Sequence, residues 1–222
     1  MGLDQYLNRA PRYKDLTIDD INKIDAYLNW KNDENVCNKY TVEQWCGISK
    51  NKMPSKEAVK YFEQFYTIKY YHWDNKHEYG RGGIIDHVGY WRKANQIHAW
   101  FVENVQDGED DCGCYEVEKW QLEELLDICK LIKDKCKLVD GTIKTGEHLK
   151  NGNWVPDYED GKVIDNPDIA EQYLPTKGGF FFGSTDYDEW YMQDIDDTIM
   201  IIENVLKETD FDTQIVYYSS SW

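Results

Sequence analysis

Three segments of this sequence repeat apolar residues at intervals of three and four positions, the spacing that aligns side chains on one face of an α-helix. The three apolar faces consist of Ile21, Ile24 and Leu28; of Leu122, Leu125, Leu126, Cys129 and Ile132; and of Met192, Ile195, Ile199, Ile202 and Leu206. Each face must be covered by other apolar groups. The chain is therefore expected to pack a core around helices that begin near Ile18, Lys119 and Glu189.

Short segments between these helices are rich in β-branched and aromatic residues, which favour strands. They are residues 3–7, 66–73, 180–182 and 213–218, and two further short helices are predicted over 41–48 and from Ser55. This mixture predicts an α+β fold. We expect residues 1–222 to form a single domain of five or six helices on a small, mostly antiparallel sheet, built from both termini and a central strand.

Residues 137–173 have a different character, because they are rich in glycine and contain few apolar residues that could form a core of their own. At their centre, Asn151-Gly152 between Lys150 and Asn153 is a hairpin signal, since both turn positions need a positive φ angle. We interpret this segment as an inserted hairpin excursion.

Charge restricts the possible partners. The chain has 42 acidic and 25 basic residues, a formal net charge of −17. A protein that binds nucleic acid directly through phosphate contacts would present a net basic face, so that class is excluded as the general interpretation. Nine tryptophans and 17 tyrosines are too many for an acidic disordered chain. An acidic protein that competes with nucleic acid for a basic partner agrees with this composition.

The sequence predicts a protein of the cytoplasm that does not enter a membrane. No apolar run approaches the length of a membrane span, and the first residues have neither the basic nor the apolar part of a secretory signal. The six cysteines are accordingly expected to be reduced. The composition leaves open whether the chain forms a homo-oligomer.

No catalytic set or cofactor motif is recognisable. The chain has no phosphate-binding loop, no dinucleotide fingerprint and no nucleophile elbow around Ser184. Cys112 and Cys114 form a CxC pair that no second close pair completes to a zinc site. His98 with Asp110 and Asp111 is the one combination that suggests metal-assisted phosphodiester cleavage. We predict no cofactor and no resident metal.

The candidate ligand site centres on a helix predicted from Val88 to about Val105. On that helix Trp91, Asn95 and His98 would share one side, with Arg92 and Lys93 beside them to bind an anion. Other candidate ligand residues, from glycine-rich segments near the starts of this helix and of the last one, are Arg81, Phe182, Ser184, Thr185 and Tyr187. The alternative is a buried core helix whose Asn and His have internal partners.

Several motifs together resemble a family of small proteins encoded by bacteriophages and prophages. They are Met1-Gly2-Leu3-Asp4, the segment 89–98 (GYWRKANQIH), Asp110-Asp111-Cys112, the segment 179–185 (GFFFGST) and Ser220-Ser221-Trp222. The resemblance covers about half of the chain, residues 1–8, 88–136 and 174–222. It implies a phage or prophage origin and the cytoplasm of a bacterial host, but no reaction, because no activity is established for the family.

Two hypotheses follow for the function, and a third remains as an alternative. The first is a counter-defence protein that sequesters a small phosphorylated, nucleotide-like immune signal without catalysis, as the aromatic and cationic candidates suggest. The second is an acidic mimic of nucleic acid that inhibits a host defence nuclease, such as a CRISPR effector. It is favoured by ten acidic residues and one basic residue within 185–212. The third is a metal-dependent phosphodiesterase.

Overall fold

The computed structural model describes residues 2–49, 52–74 and 77–222, with the backbone alone for residues 69–74 and 77–81. The described residues have an α+β fold with eight helices and eight strands. The helices are α1 (Ile18–Asn32), α2 (Glu34–Cys37), α3 (Val42–Cys46), α4 (Lys56–Glu63), α5 (Asn95–Asn104), α6 (Lys119–Lys135), α7 (Asp168–Tyr173) and α8 (Glu189–Glu208). The strands are β1 (Asp4–Pro11), β2 (Thr67–Asp74), β3 (His77–Gly83), β4 (Asp86–Arg92), β5 (Cys114–Glu116), β6 (Leu138–Lys150), β7 (Asn153–Ile164) and β8 (Gln214–Ser221). The predicted α+β class is confirmed, but the expected number of five or six helices is wrong, because short helices such as α2 and α7 add to the longer ones.

The largest sheet has the strand order β4-β1-β8-β5, so it does join both ends of the chain with a central strand. Asp4 contacts Tyr90 and Asn8 contacts His87, which shows that β1 and β4 run antiparallel. The strand from the middle of the chain that pairs with β1 is β4, at one edge of the sheet. The predicted strand at 66–73 instead pairs with β3 in a separate two-stranded sheet.

Within the predicted domain of residues 1–222, the contacts divide the chain into two compact units. The acidic unit comprises residues 1–6, 89–208 and 218–222, and has 28 acidic and 12 basic residues, a net charge of −16. The neutral unit comprises residues 7–88 and 209–217, with 14 acidic and 13 basic residues. Almost the whole net charge of the protein therefore belongs to one unit.

The core of the neutral unit forms where α1 and α4 cover strand residues. Its buried cluster is Ala10, Ile21, Ile24, Leu28, Ala58, Phe62, Ile84, Ile215 and Tyr217, which includes the predicted apolar face of α1. Thr17 caps α1, because its hydroxyl accepts from the Asp20 N–H while the Asp20 carboxylate accepts from the Thr17 N–H.

In the neutral unit the glycine-rich segment 80–83, which contains the candidate ligand residue Arg81, is part of strand β3 rather than a loop. The reason is close packing. A side chain at Gly82 would collide with the Tyr66 phenol, and one at Gly83 would lie 2.7 Å from an Asp25 carboxylate oxygen. That oxygen accepts the Ile84 N–H at 2.7 Å. The absence of a side chain at these two glycines makes room for Tyr66 and Asp25 of the same unit, not for a ligand.

The acidic unit is built on α5, α6 and α8. The predicted apolar face of α6 is buried. That of α8 is buried at Met192, Ile195 and Ile202 and half-buried at Ile199 and Leu206. Two ion pairs join the exposed sides of these helices, Lys130–Glu203 at 2.7 Å and Lys133–Asp196 at 2.6 Å. Part of the acidic outer side of α8 is thereby neutralised within the unit.

The inserted segment forms a long β6–β7 hairpin in which twelve residue pairs are in register, with an irregularity between Lys144 and Gly146. Asn151 and Gly152 occupy the turn with φ angles of 53° and 82°, as the hairpin signal predicted. The prediction of a buried strand at Phe180–Phe182 is wrong, since these residues form a turn in which the Phe180 side chain is 95% exposed. Gly183 follows with a φ of 91°, which ends any extended run.

All six cysteines are free thiols in the structure. Among the described residues, no helix combines the length and the apolar character that crossing a lipid bilayer would require.

Gly152→Ala should destabilise the hairpin, because an L-residue in the left-handed region costs about 1–2 kcal/mol. We expect faster hydrogen exchange at the amides of β6 and β7. Gly146→Ala is the matched control, since a side chain there would meet only a carboxylate oxygen of Asp157 at 3.9 Å. Equal exchange in Gly152→Ala and the unmodified protein would contradict the turn assignment.

Candidate functional site

A cavity of the acidic unit, which we call the main cavity, lies between the end of β4, the start of α5, the segment 176–186 and the first turns of α8. Its volume is about 500 Å³, within the range typical of small-ligand sites. The residues that line it are Tyr90, Trp91, Arg92, Lys93, Asn95, Gln96, Thr176, Gly183, Ser184, Asp186, Asp188, Trp190, Tyr191, Gln193, Asp194 and Asp197. Five predicted ligand residues are thus brought together: Trp91, Arg92, Lys93, Asn95 and Ser184.

The predicted helix over Val88–Val105 is wrong in its first part, and this changes how three of those residues are presented. Trp91 and Arg92 end strand β4, and Lys93 has a φ of 62°, a left-handed conformation that interrupts the chain before α5. Ala94 then forms an inverse γ-turn with φ −73° and ψ 74°, closed by the bond from the Asn95 N–H to the Lys93 carbonyl. Tyr90 and Trp91 favour the extended strand, and Gly89 disfavours a helix.

Asn95, at the start of α5, is 2% exposed and is fully occupied by backbone partners. Its side-chain amide donates to the carbonyls of Phe182 at 3.1 Å and Ser184 at 2.7 Å, and its carbonyl accepts from the Lys177 N–H at 2.8 Å. Asn95 therefore fixes the segment 177–184 as one wall of the cavity. Both of its N–H donors are used, and its carbonyl oxygen already accepts one hydrogen bond.

His98 lies outside the cavity, in a buried polar chain. Its Nε2 is 3.1 Å from Asp110 Oδ2, and its Nδ1 is 2.8 Å from the Tyr218 hydroxyl, which is 3.3 Å from Gln5 Oε1. Asp110 can only accept, so the His98 proton belongs on Nε2. Burial lowers the pKa of His98, and the hydrogen bond to Asp110 opposes that shift. These contacts agree with the alternative interpretation, in which His98 is a core residue with internal hydrogen-bond partners.

The other predicted residues are distributed as follows. The Trp91 indole is buried and donates to Thr198 Oγ1 at 2.9 Å, whereas the Arg92 side chain is 58% exposed and lies 3.7 Å from Asp4. Phe182 packs edge-on against His98. Thr185 and Tyr187 line a neighbouring cavity of about 300 Å³ beside the hairpin. The Arg81 side chain lies outside the described residues.

Sequence reasoning missed the acidic wall of the main cavity. Trp190, Asp194 and Asp197 follow one another at intervals of four and three residues, so they share one side of α8. Asp188 caps this helix, its Oδ1 accepting the N–H groups of Trp190 at 2.9 Å and Tyr191 at 3.1 Å. The spacing was visible in the sequence. It predicts an acidic side of the helix, but not that a cavity lies opposite that side.

Asp194 is the carboxylate most affected by this wall. Burial raises its pKa to about 7, repulsion by Asp197 and Asp188 contributes in the same direction, and a hydrogen bond from Gln96 Nε2 at 3.0 Å opposes the shift. Arg92 and Lys93 line the same cavity but form no ion pair with these carboxylates. Within the described part of the chain, no group of three or more His, Cys, Asp or Glu side chains is arranged to hold a metal ion.

Asn95→Ala should release the wall of the cavity. Loss of three buried hydrogen bonds is expected to lower the free energy of unfolding by about 2–3 kcal/mol and to accelerate tryptic cleavage after Lys177. Asn104→Ala is the control, because the exposed Asn104 side chain donates one bond to the Trp100 carbonyl in its own helix. Cleavage at equal rates in the two variants would contradict the role of Asn95.

Asp194→Asn should remove a pH dependence of stability. A raised pKa means that the folded chain holds a proton between about pH 4 and 7 that the unfolded chain has released, so stability falls as the pH rises through this range. At pH 8 the variant should be more stable than the unmodified protein by on the order of 1 kcal/mol, and this advantage should vanish near pH 4. Urea denaturation at both pH values is the measurement, with Asp196→Asn as control.

Comparison with protein families, curated proteins and solved structures finds no significant match to this chain. The resemblance to phage-encoded proteins therefore stays a prediction.

Proposed function

We propose that this chain binds a basic protein through the surface of the acidic unit and competes with nucleic acid for that protein's cationic site. The observation that carries the proposal is the division of charge: a net −16 on the acidic unit against −1 on the neutral unit. Charge needed only for solubility has no reason to collect on one unit. A field of one sign favours and accelerates encounter with a surface of the opposite sign.

The connector between α5 and β5 supplies one concentrated part of this surface. Asp107, Glu109 and Asp111 are exposed, and none of them forms an ion pair with a described residue. They lie close enough to Tyr115 to contribute to its raised pKa, which results first from its hydrogen bond to Asp111, then from burial, and then from the charges of all three. Uncompensated carboxylates spaced along a surface are what a cationic nucleic-acid site would bind.

The first turns of α8 supply a second part, and the structure refines which residues matter. Asp196 is paired with Lys133 and Glu203 with Lys130, so these two are partly neutralised. Asp186, exposed, and Asp197, half-buried, form no ion pair with a described residue, although the charge of Asp186 contributes to the raised pKa of Lys144. The acidic surface that we propose therefore runs along the cavity side of α8. From the phage-family resemblance we expect the partner to be a host defence nuclease, such as a CRISPR effector.

Sequestration of a phosphorylated, nucleotide-like ligand is the second candidate, favoured by the position of Arg92 and Lys93 at the main cavity. Trp190 and Tyr90, 60% and 49% exposed, offer aromatic surface there. The same cavity presents four aspartates, which repel phosphates. Asn95 and His98 are occupied by internal partners. The acidic surface is for these reasons the stronger proposal.

Neutralising the connector should weaken inhibition of a basic nuclease. We would titrate purified defence nucleases, CRISPR effectors among them, with the protein and measure cleavage of labelled DNA. Inhibition should decline steeply as salt rises from about 50 to 500 mM. The triple variant Asp107→Asn, Glu109→Gln, Asp111→Asn should require at least tenfold more protein for the same inhibition.

The control carries an equal change of charge on the neutral unit: Asp15→Asn, Glu34→Gln and Asp212→Asn, all exposed. It should stay within twofold of the unmodified protein. Equal loss in both variants would contradict a specific acidic surface. Calorimetric binding of a cyclic or linear nucleotide, with no nuclease inhibited, would instead favour sequestration.

A further inference from the structure

We infer that the main cavity of the acidic unit binds a guanidinium group carried on an alkyl stem, as in an arginine side chain. This deepens the proposed function and rests on it for the expectation that the guanidinium belongs to a protein. The inference depends on three carboxylates, Asp188, Asp194 and Asp197, that line one cavity and form no ion pair with a described residue.

Asp188 is the first reason to expect a ligand there. Its side chain is 2% exposed, and one of its two oxygens is used by the N–H groups that begin α8. The second oxygen has no hydrogen-bond partner among the described residues. This oxygen is not among the described polar atoms that are wholly buried without a partner, so it keeps accessible surface on a residue that lines the cavity, where a donor from a ligand can reach it.

The arrangement of the other two carboxylates is the second reason. Asp194 and Asp197 are three residues apart on α8, and both contribute to the same cluster of negative charge as Asp188. The buried Gln96 amide donates to Asp194 Oδ2, which leaves Oδ1 without a partner in the described part of the chain. Free carboxylate oxygens of three residues thus border the same space.

The two cationic residues that line the cavity do not form ion pairs with these carboxylates. The Arg92 guanidinium is 3.7 Å from Asp4, and Lys93 forms no ion pair with a described residue. Both side chains line the cavity, yet neither approaches the carboxylates of α8 closely enough to pair with them. A cation from outside the chain can therefore complete the site.

The guanidinium group matches these features better than an ammonium group does. It is planar and has five N–H donors, so that one group can serve several carboxylate oxygens. Trp190, 60% exposed and on the same side of α8 as Asp194 and Asp197, offers an aromatic face on which a guanidinium can stack. The cavity, at about 500 Å³, has room for the alkyl stem as well.

The test uses the tripeptide Gly-Arg-Gly with blocked ends and the same peptide containing citrulline, which keeps the shape but removes the charge. Binding would be followed by NMR through the indole N–H of Trp190, identified with Trp190→Phe. The arginine peptide should bind at least tenfold more tightly than the citrulline peptide. Asp197→Asn should weaken binding at least fivefold. Asp188→Asn, which keeps a residue suited to cap α8, should do the same.

Asp196→Asn is the matched control, since Asp196 lies one residue from Asp197 but pairs with Lys133 outside the cavity. It should change the affinity less than twofold. Equal affinity for the two peptides, or equal losses in Asp196→Asn and Asp197→Asn, would overturn the inference. Nuclease inhibition that persists in that case would leave the proposed function standing.

Agmatine, a free alkyl-guanidinium, separates the two sources of the cation. Weaker binding of agmatine than of the arginine peptide is expected if the site is made for a protein side chain. Tighter binding of agmatine would overturn the assignment to a protein partner.

Discussion

Three polar side chains in the first turns of α5 need partners inside the protein, and the acidic unit is arranged around them. Asn95, Gln96 and His98 are each at most 2% exposed. A buried polar group without a partner costs about 1–3 kcal/mol, so each must reach a donor or acceptor elsewhere. Asn95 bonds the segment 177–184, Gln96 bonds α8, and His98 bonds the connector and β8. One short helix thus holds together parts of the chain that are far apart in sequence.

The cavity is a consequence of these bonds. Asn95 holds the segment that forms one wall, and Gln96 approaches Asp194 on the opposite wall. Carboxylates are thereby enclosed next to one another, and this shifts the pKa of Asp194 upward. Such an arrangement stabilises nothing by itself. We interpret the three carboxylates as a binding site for a cation. The remaining acidic surface of the unit would also attract a basic partner.

The candidate site was predictable in part. The sequence identified Trp91, Arg92, Lys93, Asn95 and Ser184, and all five reach the main cavity. It did so on the assumption of a helix over 88–105, which is wrong because β4 extends through Arg92 and Lys93 breaks the chain direction. The sequence could not show that the side-chain amide of Asn95 is hydrogen-bonded to backbone groups more than 80 residues away. Hydrogen-bonding capacity is visible in a sequence, whereas its use is not.

By itself, the sequence determined the α+β class, the long helices α1, α6 and α8 with their buried faces, the Asn151-Gly152 hairpin and the acidity of the chain. These features follow from local spacing, turn geometry and counting, which need no knowledge of distant contacts. Only the tertiary structure decided that β4 is a strand, that nearly all the net charge belongs to one unit, and that Asp188, Asp194 and Asp197 face a cavity. The polar side of a helix looks the same in a sequence whether water or another wall of the protein lies opposite, because that depends on which distant segments pack there.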